Sequence, residues 1–373
     1  MKTIENLLCI VFSSVCVFSS CITEDNPVEF KGYTTSLFVA TDRHESGKGN
    51  NLAAAINKVA NRYGVVTPSV VLLGGDYVGS GPDQGETGQP VFSLADLRAE
   101  IFSSLDPSKT DLFFTYGSHD RNCADGYSAF FSGPHQCDGY YIYGISFAQM
   151  AYATDSVTKA LVALYEQQGD MKPDTSAIDS GLPPSLPPFA GNRPYNGIDI
   201  DDPFGISAES AAASFESWAD TLSGHQPIIV MSHVPMHALR NDNSGGLRWF
   251  NALSKVAHKH DIVLFFGHNH TGEELGNPSD QQVYLLTAGD SITVQGDSIQ
   301  GAQRVLLNFT YANAGYLKLG WCTLLTFNDV DSDGHHDYLQ FRRFSVRGGQ
   351  TSHFGSTDKP NPWLLRLRPQ YER

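Results

Sequence analysis

The chain has 373 residues, a length that fits one large domain or two ordinary ones. Hydrophobic residues make up 41% and aromatics 11%, enough for a substantial core, which excludes a globally disordered chain. With 25 Lys and Arg against 40 Asp and Glu, the formal charge of −15 argues against nucleic-acid duplexes and anionic lipid as partners, since both call for clustered cations. An acidic chain can still act on phosphate esters where metal ions supply positive charge, and its 13 His offer ligands for them.

Residues 1–20 read as an export signal: Lys2, an apolar run from Leu7 to Phe18, then Ser19-Ser20. The alternative is a buried N-terminal helix. Cys21, with small residues before it and acidic ones after, resembles a bacterial lipoprotein cleavage site. The expected location is therefore secreted or extracytoplasmic, either released by a free cut or held by a lipid anchor on Cys21, which would be the sole membrane contact. Residues 21–32 form a polar tether, and the expected catalytic domain spans 33–345.

Inside that domain Ser36–Ala40 is a short apolar strand, and Asn51–Tyr63 has helical spacing. Ser69–Leu73 is a second strand, Leu94–Leu105 a helix and Asp111–Thr115 a third strand. Tyr140–Ile145 reads as a strand and Val157–Gln167 as a helix, before an irregular insertion over 170–206 rich in Pro, Gly, Asp and Asn. Alternation resumes with a helix over Ala208–Leu222, a strand over Pro227–Met231, a helix over Leu247–His258 and a strand over Asp261–Phe266. Val283–Leu286, Trp321–Phe327 and Tyr338–Phe344 are further strands. The pattern implies a layered, largely parallel α/β fold. The tail, 346–373, has no assigned role, although Trp363-Leu-Leu365 is apolar enough to pack back. Cys123 and Cys137, the only close pair left in an exported chain, are expected to form a disulfide, with two small buried thiols as the alternative.

Five of these strands end in a Gly or polar turn carrying metal-ligand side chains: Asp42 and His44, Asp76, Gly117-Ser118-His119-Asp120, His233, then His268 and His270. In layered α/β sheets, sites gather beyond the carboxyl ends of strands. Imidazole plus carboxylate suits Zn, Fe or Mn. Two such ions about 3.5–4 Å apart clamp a displacement at phosphorus. Any one of these turns is ordinary; five in order, each after an apolar strand, point to one site.

As a set these motifs resemble the calcineurin-like metallophosphoesterase superfamily from about Ser36 to His270. Gly289-Asp290-Ser291-Ile292 and Asn308–Tyr316 resemble the C-terminal part of its secreted members. The resemblance implies a four-layer α/β/β/α sandwich of the metallo-dependent phosphatase type. It implies one metal held by Asp42, His44 and His270, a second held by His233 and His268, and Asp76 bridging them. Position 118 in that family is Asn, a ligand of the second metal; here it is Ser118. His119 matches the family's leaving-group His, with Asp120 expected to orient it.

The function expected is hydrolysis of a phosphomonoester or diester by a metal-bridging hydroxide, with His119 as general acid, in a monomeric enzyme. The rival is a non-catalytic or weakly active relative that binds a phosphorylated ligand or partner, which Ser118 favours. Arg43 reads either as a phosphate contact or as an outward-facing loop residue. Separately, Asp329, Asp331, Asp333 and Asp337 flank a Gly turn that fits either one Ca²⁺ or a polar hairpin.

Overall fold

The structure, a computed structural model, describes residues 33–44, 52, 56–57, 68–78, 92–120, 123–151, 207–237, 245–268, 285–296, 301–345 and 363–368. The export signal, the tether, the helix over 157–167, the insertion over 170–206 and His270 lie outside these residues.

In chain order the first half gives β1 (Thr35–Ala40), β2 (Val70–Leu73), α1 (Leu94–Phe102), β3 (Asp111–Phe114), β4 (Gly133–Gln136), β5 (Tyr141–Ile145) and α2 (Phe147–Ala151). Then come α3 (Ala208–Asp220), β6 (Ile228–Ser232), α4 (Gly246–Val256), β7 (Ile262–Phe266) and β8 (Leu285–Leu286). The remainder gives β9 (Ser291–Val294), β10 (Gln303–Leu306), β11 (Thr310–Asn313), a short 3-10 helix over Leu317–Leu319, β12 (Trp321–Asn328), β13 (Tyr338–Ser345) and β14 (Trp363–Arg366).

Two six-stranded sheets face each other. The first has the order β14-β13-β12-β1-β2-β3 and the second β4-β5-β6-β7-β11-β8, while β9 and β10 pair separately. Every residue of β1, β2, β6 and β7 is buried. That explains their unbroken apolar runs, since each face of these strands meets protein. Within β1, Leu37 and Val39 point into the core between the sheets, while Phe38 and Ala40 point to the outer layer. Across the inter-sheet core Tyr140 stacks on Phe327 with ring centroids 4.4 Å apart.

Helices cover both outer faces. Ser93 caps α1 by accepting from the backbone N–H of Ala95 and Asp96, and Leu94, Leu97 and Ile101 form its buried stripe. Arg98 places its guanidinium 5.6 Å from the Phe114 ring centroid, so α1 lies over β3. On the second sheet, Tyr143 meets Phe215 of α3 at 4.9 Å and Trp249 of α4 at 6.4 Å. The result is the α/β/β/α sandwich expected from the resemblance.

The structure departs from the sequence reading in three places. The sheets are mixed: β12, β13 and β14 join antiparallel beyond the parallel trio β1, β2 and β3. The tail contributes β14, whose Trp363 packs 4.7 Å from Phe341, so the domain runs past residue 345. Cys123 and Cys137 are free thiols, because Cys123 packs on the outer helical layer and Cys137 on the inter-sheet core.

Candidate metal centre

The parallel strands deliver the expected ligands to one edge. Asp42 and His44 follow β1, Asp76 follows β2, residues 117–120 follow β3, His233 follows β6 and His268 follows β7. The first three strands are neighbours in one sheet and the last two in the other. Parallel neighbours present the same end, so the loops of both sheets converge.

These loops are held in an unusual backbone state. Asp42, His44, Asp76 and His268 have φ of 55°, 46°, 56° and 69°, the left-handed region that non-glycine residues rarely enter. Backbone bonds compensate. Asp42 N–H donates to Gly75 O and His44 N–H to Asp76 O, each at 3.0 Å. His268 N–H donates to the Asp42 carboxylate at 2.9 Å. Close approach also demands glycine: a Cβ on Gly117 would strike the Asp76 backbone nitrogen and carboxylate, and one on Gly267 would strike Thr41 and Asp42.

The imidazoles are aimed by backbone carbonyls. His233 Nδ1 lies 2.8 Å from Gly74 O, and His44 Nδ1 lies 3.2 Å from Val78 O. A carbonyl only accepts, so in each ring Nδ1 carries the hydrogen and Nε2 is directed into the site. His233 Nε2 then stands 3.1 Å from Asp76 Oδ2 and 3.3 Å from His268 Nδ1. His44 Nε2 stands 3.4 Å from Asp42 Oδ1 and 3.6 Å from Asp76 Oδ2. Two ligand triads overlap on Asp76: His44, Asp76 and His119, and Asp76, His233 and His268, with donor atoms in each within 4.8 Å of one another.

This cluster attracts positive charge. Burial alone raises the Asp76 carboxyl, yet the imidazoles of His233 and His119 outweigh it and hold the group well below the usual carboxylate range. Burial lowers His233, but Asp76 beside it, as charge and hydrogen-bond partner, lifts the ring to about 9. His44 is raised against its burial by Asp42 and Asp76. Converging ring nitrogens and buried carboxylates form a donor set that fits borderline divalent cations.

Ser118 and His119 sit at the rim, with Asp120 buried behind them. Ser118 Oγ is 3.3 Å from both Asp76 oxygens and 3.5 Å from His268 Nδ1, between the shared carboxylate and a second-triad ring. His119 N–H donates to Asp76 Oδ1 at 2.8 Å, and its ring Nε2 is 3.7 Å from Asp76 Oδ2. The His119 side chain keeps 26% exposure where His44 keeps 5% and His233 none, so its ring faces the opening. Its burial lowers its pKa despite the nearby Asp76. Asp120, expected to orient the His119 ring, instead accepts three backbone N–H groups at 2.8 Å: Asp76 and Gly117 on Oδ2 and Tyr77 on Oδ1. It ties the β2 and β3 loops together. Burial and the charge of Asp76 push its carboxyl up to about 7, with the N–H donors of Tyr77 and Gly117 pulling the other way.

Three features fall outside the ligand pattern. Arg43 turns toward Glu100 of α1 at 3.1 Å, and the same carboxylate accepts the Leu52 N–H, so the outward-loop and phosphate readings both give way to a clamp. Tyr316 ends the stretch that resembles the secreted members but carries no role in that resemblance; its ring lies edge-on to His44 at 6.0 Å. The carboxylates of Asp329, Asp331 and Asp333 lie within 4.8 Å of one another on the loop between β12 and β13, whereas Asp337 accepts the Val330 N–H at 2.7 Å. Asp329 and Asp333 also accept loop amides, those of Gly334 and His335.

No curated protein is significantly similar to the chain. Among solved structures it is similar to a 5'-nucleotidase precursor from Thermus thermophilus at 11% identity and a TM-score of 0.29. That alignment covers 89% of this chain and 54% of the other, so this chain spans about half the length of that relative. The calcineurin-like phosphoesterase family matches residues 35–272, the stretch that runs from β1 through every ligand-bearing loop. The chain belongs to the calcineurin-like phosphoesterase family.

Proposed function

We propose that the chain hydrolyses phosphate esters at a two-metal centre held by Asp42, His44, Asp76, His233, His268 and His270. The carrying observation is one buried carboxylate, Asp76, shared by two groups of converging donors, His44 in the first and His233 and His268 in the second. Mn, Fe or Zn suits the donors. When bound, the ions would supply positive charge to the phosphoryl oxygens and lower the pKa of a water between them.

The chain's own residues do the rest. Asp76 is shared by both halves of the site, and Gly74 and Val78 fix the two rings that converge on it. His119, the most exposed ring of the cluster, holds a proton at Nε2 for the leaving oxygen. The buried Phe147 ring lies 6.4 Å from that of His233 and 6.3 Å from that of His268, which limits water on that side. The pattern of residues 1–20 and Cys21 supports a location outside the cytoplasm, free or lipid-anchored.

Hydrolysis of p-nitrophenyl phosphate and its bis ester tests the reading. Chelation abolishes turnover and added Mn, Zn or Fe restores it. His119→Ala lowers turnover with metal content retained, and the loss shrinks for good leaving groups. Equal loss across leaving groups, with metal lost as well, makes His119 a ligand. Ser118 favours a second reading, a weakly active binder of a phosphorylated ligand; metal-loaded protein that binds inorganic phosphate without turning over either ester identifies it.

A further inference from the structure

His44 touches two rings that are each partly exposed. His119 lies edge-on to it at 4.9 Å and Tyr316 edge-on at 6.0 Å. Tyr316 is placed by the same backbone that places the metal loop. Thr41 N–H donates to Gly315 O at 3.0 Å, Leu317 N–H to Thr41 O at 2.9 Å, and Lys318 N–H to Asp42 O at 3.1 Å. Trp321 N–H closes the turn on Tyr316 O at 3.0 Å. The phenol is therefore carried on a strap zipped to Asp42, not on a free loop.

We propose that Tyr316 is a substrate-binding residue whose O–H donates to a non-bridging phosphoryl oxygen. This rests on the phosphoesterase reading and deepens it. The part-exposed ring stands beside His44 on a strap bonded to Thr41 and Asp42, so a phosphoryl group held over Asp76 comes within its reach while His119 serves the leaving oxygen. A hydroxyl suits this role because it donates one hydrogen bond and adds no charge to a site that already gathers cations.

The test compares wild type with Tyr316→Phe, which keeps the ring and removes the hydroxyl. Metal content and inorganic-phosphate affinity are measured on metal-loaded protein by elemental analysis and calorimetry, alongside KM and kcat for p-nitrophenyl phosphate. The expected result is unchanged metal content, phosphate binding weakened by roughly 10-fold to 100-fold, and a matching fall in kcat/KM. The response to leaving group stays that of wild type, in contrast to His119→Ala. Equal phosphate affinity and equal KM in the two proteins overturn the proposal. Loss of metal in Tyr316→Phe also overturns it, by making the phenol part of the metal shell. Wild-type protein that binds metal but no phosphate overturns the phosphoesterase reading and this one together, whereas phosphate bound equally by both proteins overturns only the role of Tyr316.

Discussion

Replacing Asp120 by Asn leaves one side-chain oxygen for three N–H donors and turns an NH2 toward at least one of them. The cost is that of an unsatisfied buried donor, about 1–3 kcal/mol. Urea unfolding of metal-free Asp120→Asn should read this loss, while an unchanged midpoint would show that the backbone clamp is dispensable. Asp76→Asn acts differently, because it disturbs both triads at once; metal content falls at both sites and ester hydrolysis disappears. Equal activity of the two proteins after reconstitution with metal would contradict a shared carboxylate. Ser118 invites the opposite experiment. Its Oγ already lies 3.3 Å from Asp76, and an Asn amide oxygen reaches about one bond further with a better carbonyl donor. Ser118→Asn should tighten the second metal by up to about 10-fold to 100-fold, the scale on which neighbouring groups tune such sites. Metal titration decides: two tight ions in wild type, with no gain in the variant, make Ser118 sufficient as it stands.

At the scale of elements, α1 is tied to the chemistry through Glu100, which holds Arg43 between the left-handed Asp42 and His44. Glu100→Gln keeps the shape and removes the charge. The prediction is a roughly 10-fold loss of metal affinity with α1 still folded, read by metal titration and far-ultraviolet circular dichroism. An unaltered affinity would reduce the clamp to a surface contact. Little of this is visible in the sequence. Strands β1, β2, β6 and β7 are legible because burial on both faces writes them as unbroken apolar runs. The loops after them are legible because ligand side chains stand in Gly or polar turns directly behind those runs. By contrast β4 is Gly-Pro-His-Gln on a sheet edge, and β10 is mostly exposed, so neither carries an apolar signature. Tyr316 and Glu100 reach the site only through tertiary packing, which no local spacing records. The misplaced disulfide has the same origin: 14 positions of chain separate Cys123 from Cys137, yet they face different layers.

For the whole molecule, the centre draws Asp42, Asp76 and Ser118 from one sheet and His233 and His268 from the other. Metal bound as proposed would be a clasp across the sandwich, and its removal should loosen both halves together. Free ion at about 100 times its dissociation constant adds roughly 2.7 kcal/mol per site. Chelated protein should melt at a lower temperature, with faster amide exchange in the loops after β1, β2, β6 and β7. An identical melting curve with and without chelator would deny the clasp. The order of strands also has a consequence for biosynthesis. β1 is interior, flanked by β2 on one side and by β12 on the other, with Phe38 opposite Leu324. A chain still emerging from the ribosome holds Asp42 and Asp76 long before it holds the strand that closes their sheet. Capture of metal is accordingly a finishing step, available only once the last strands have been made, and a chain threaded unfolded through a pore would travel without its ions.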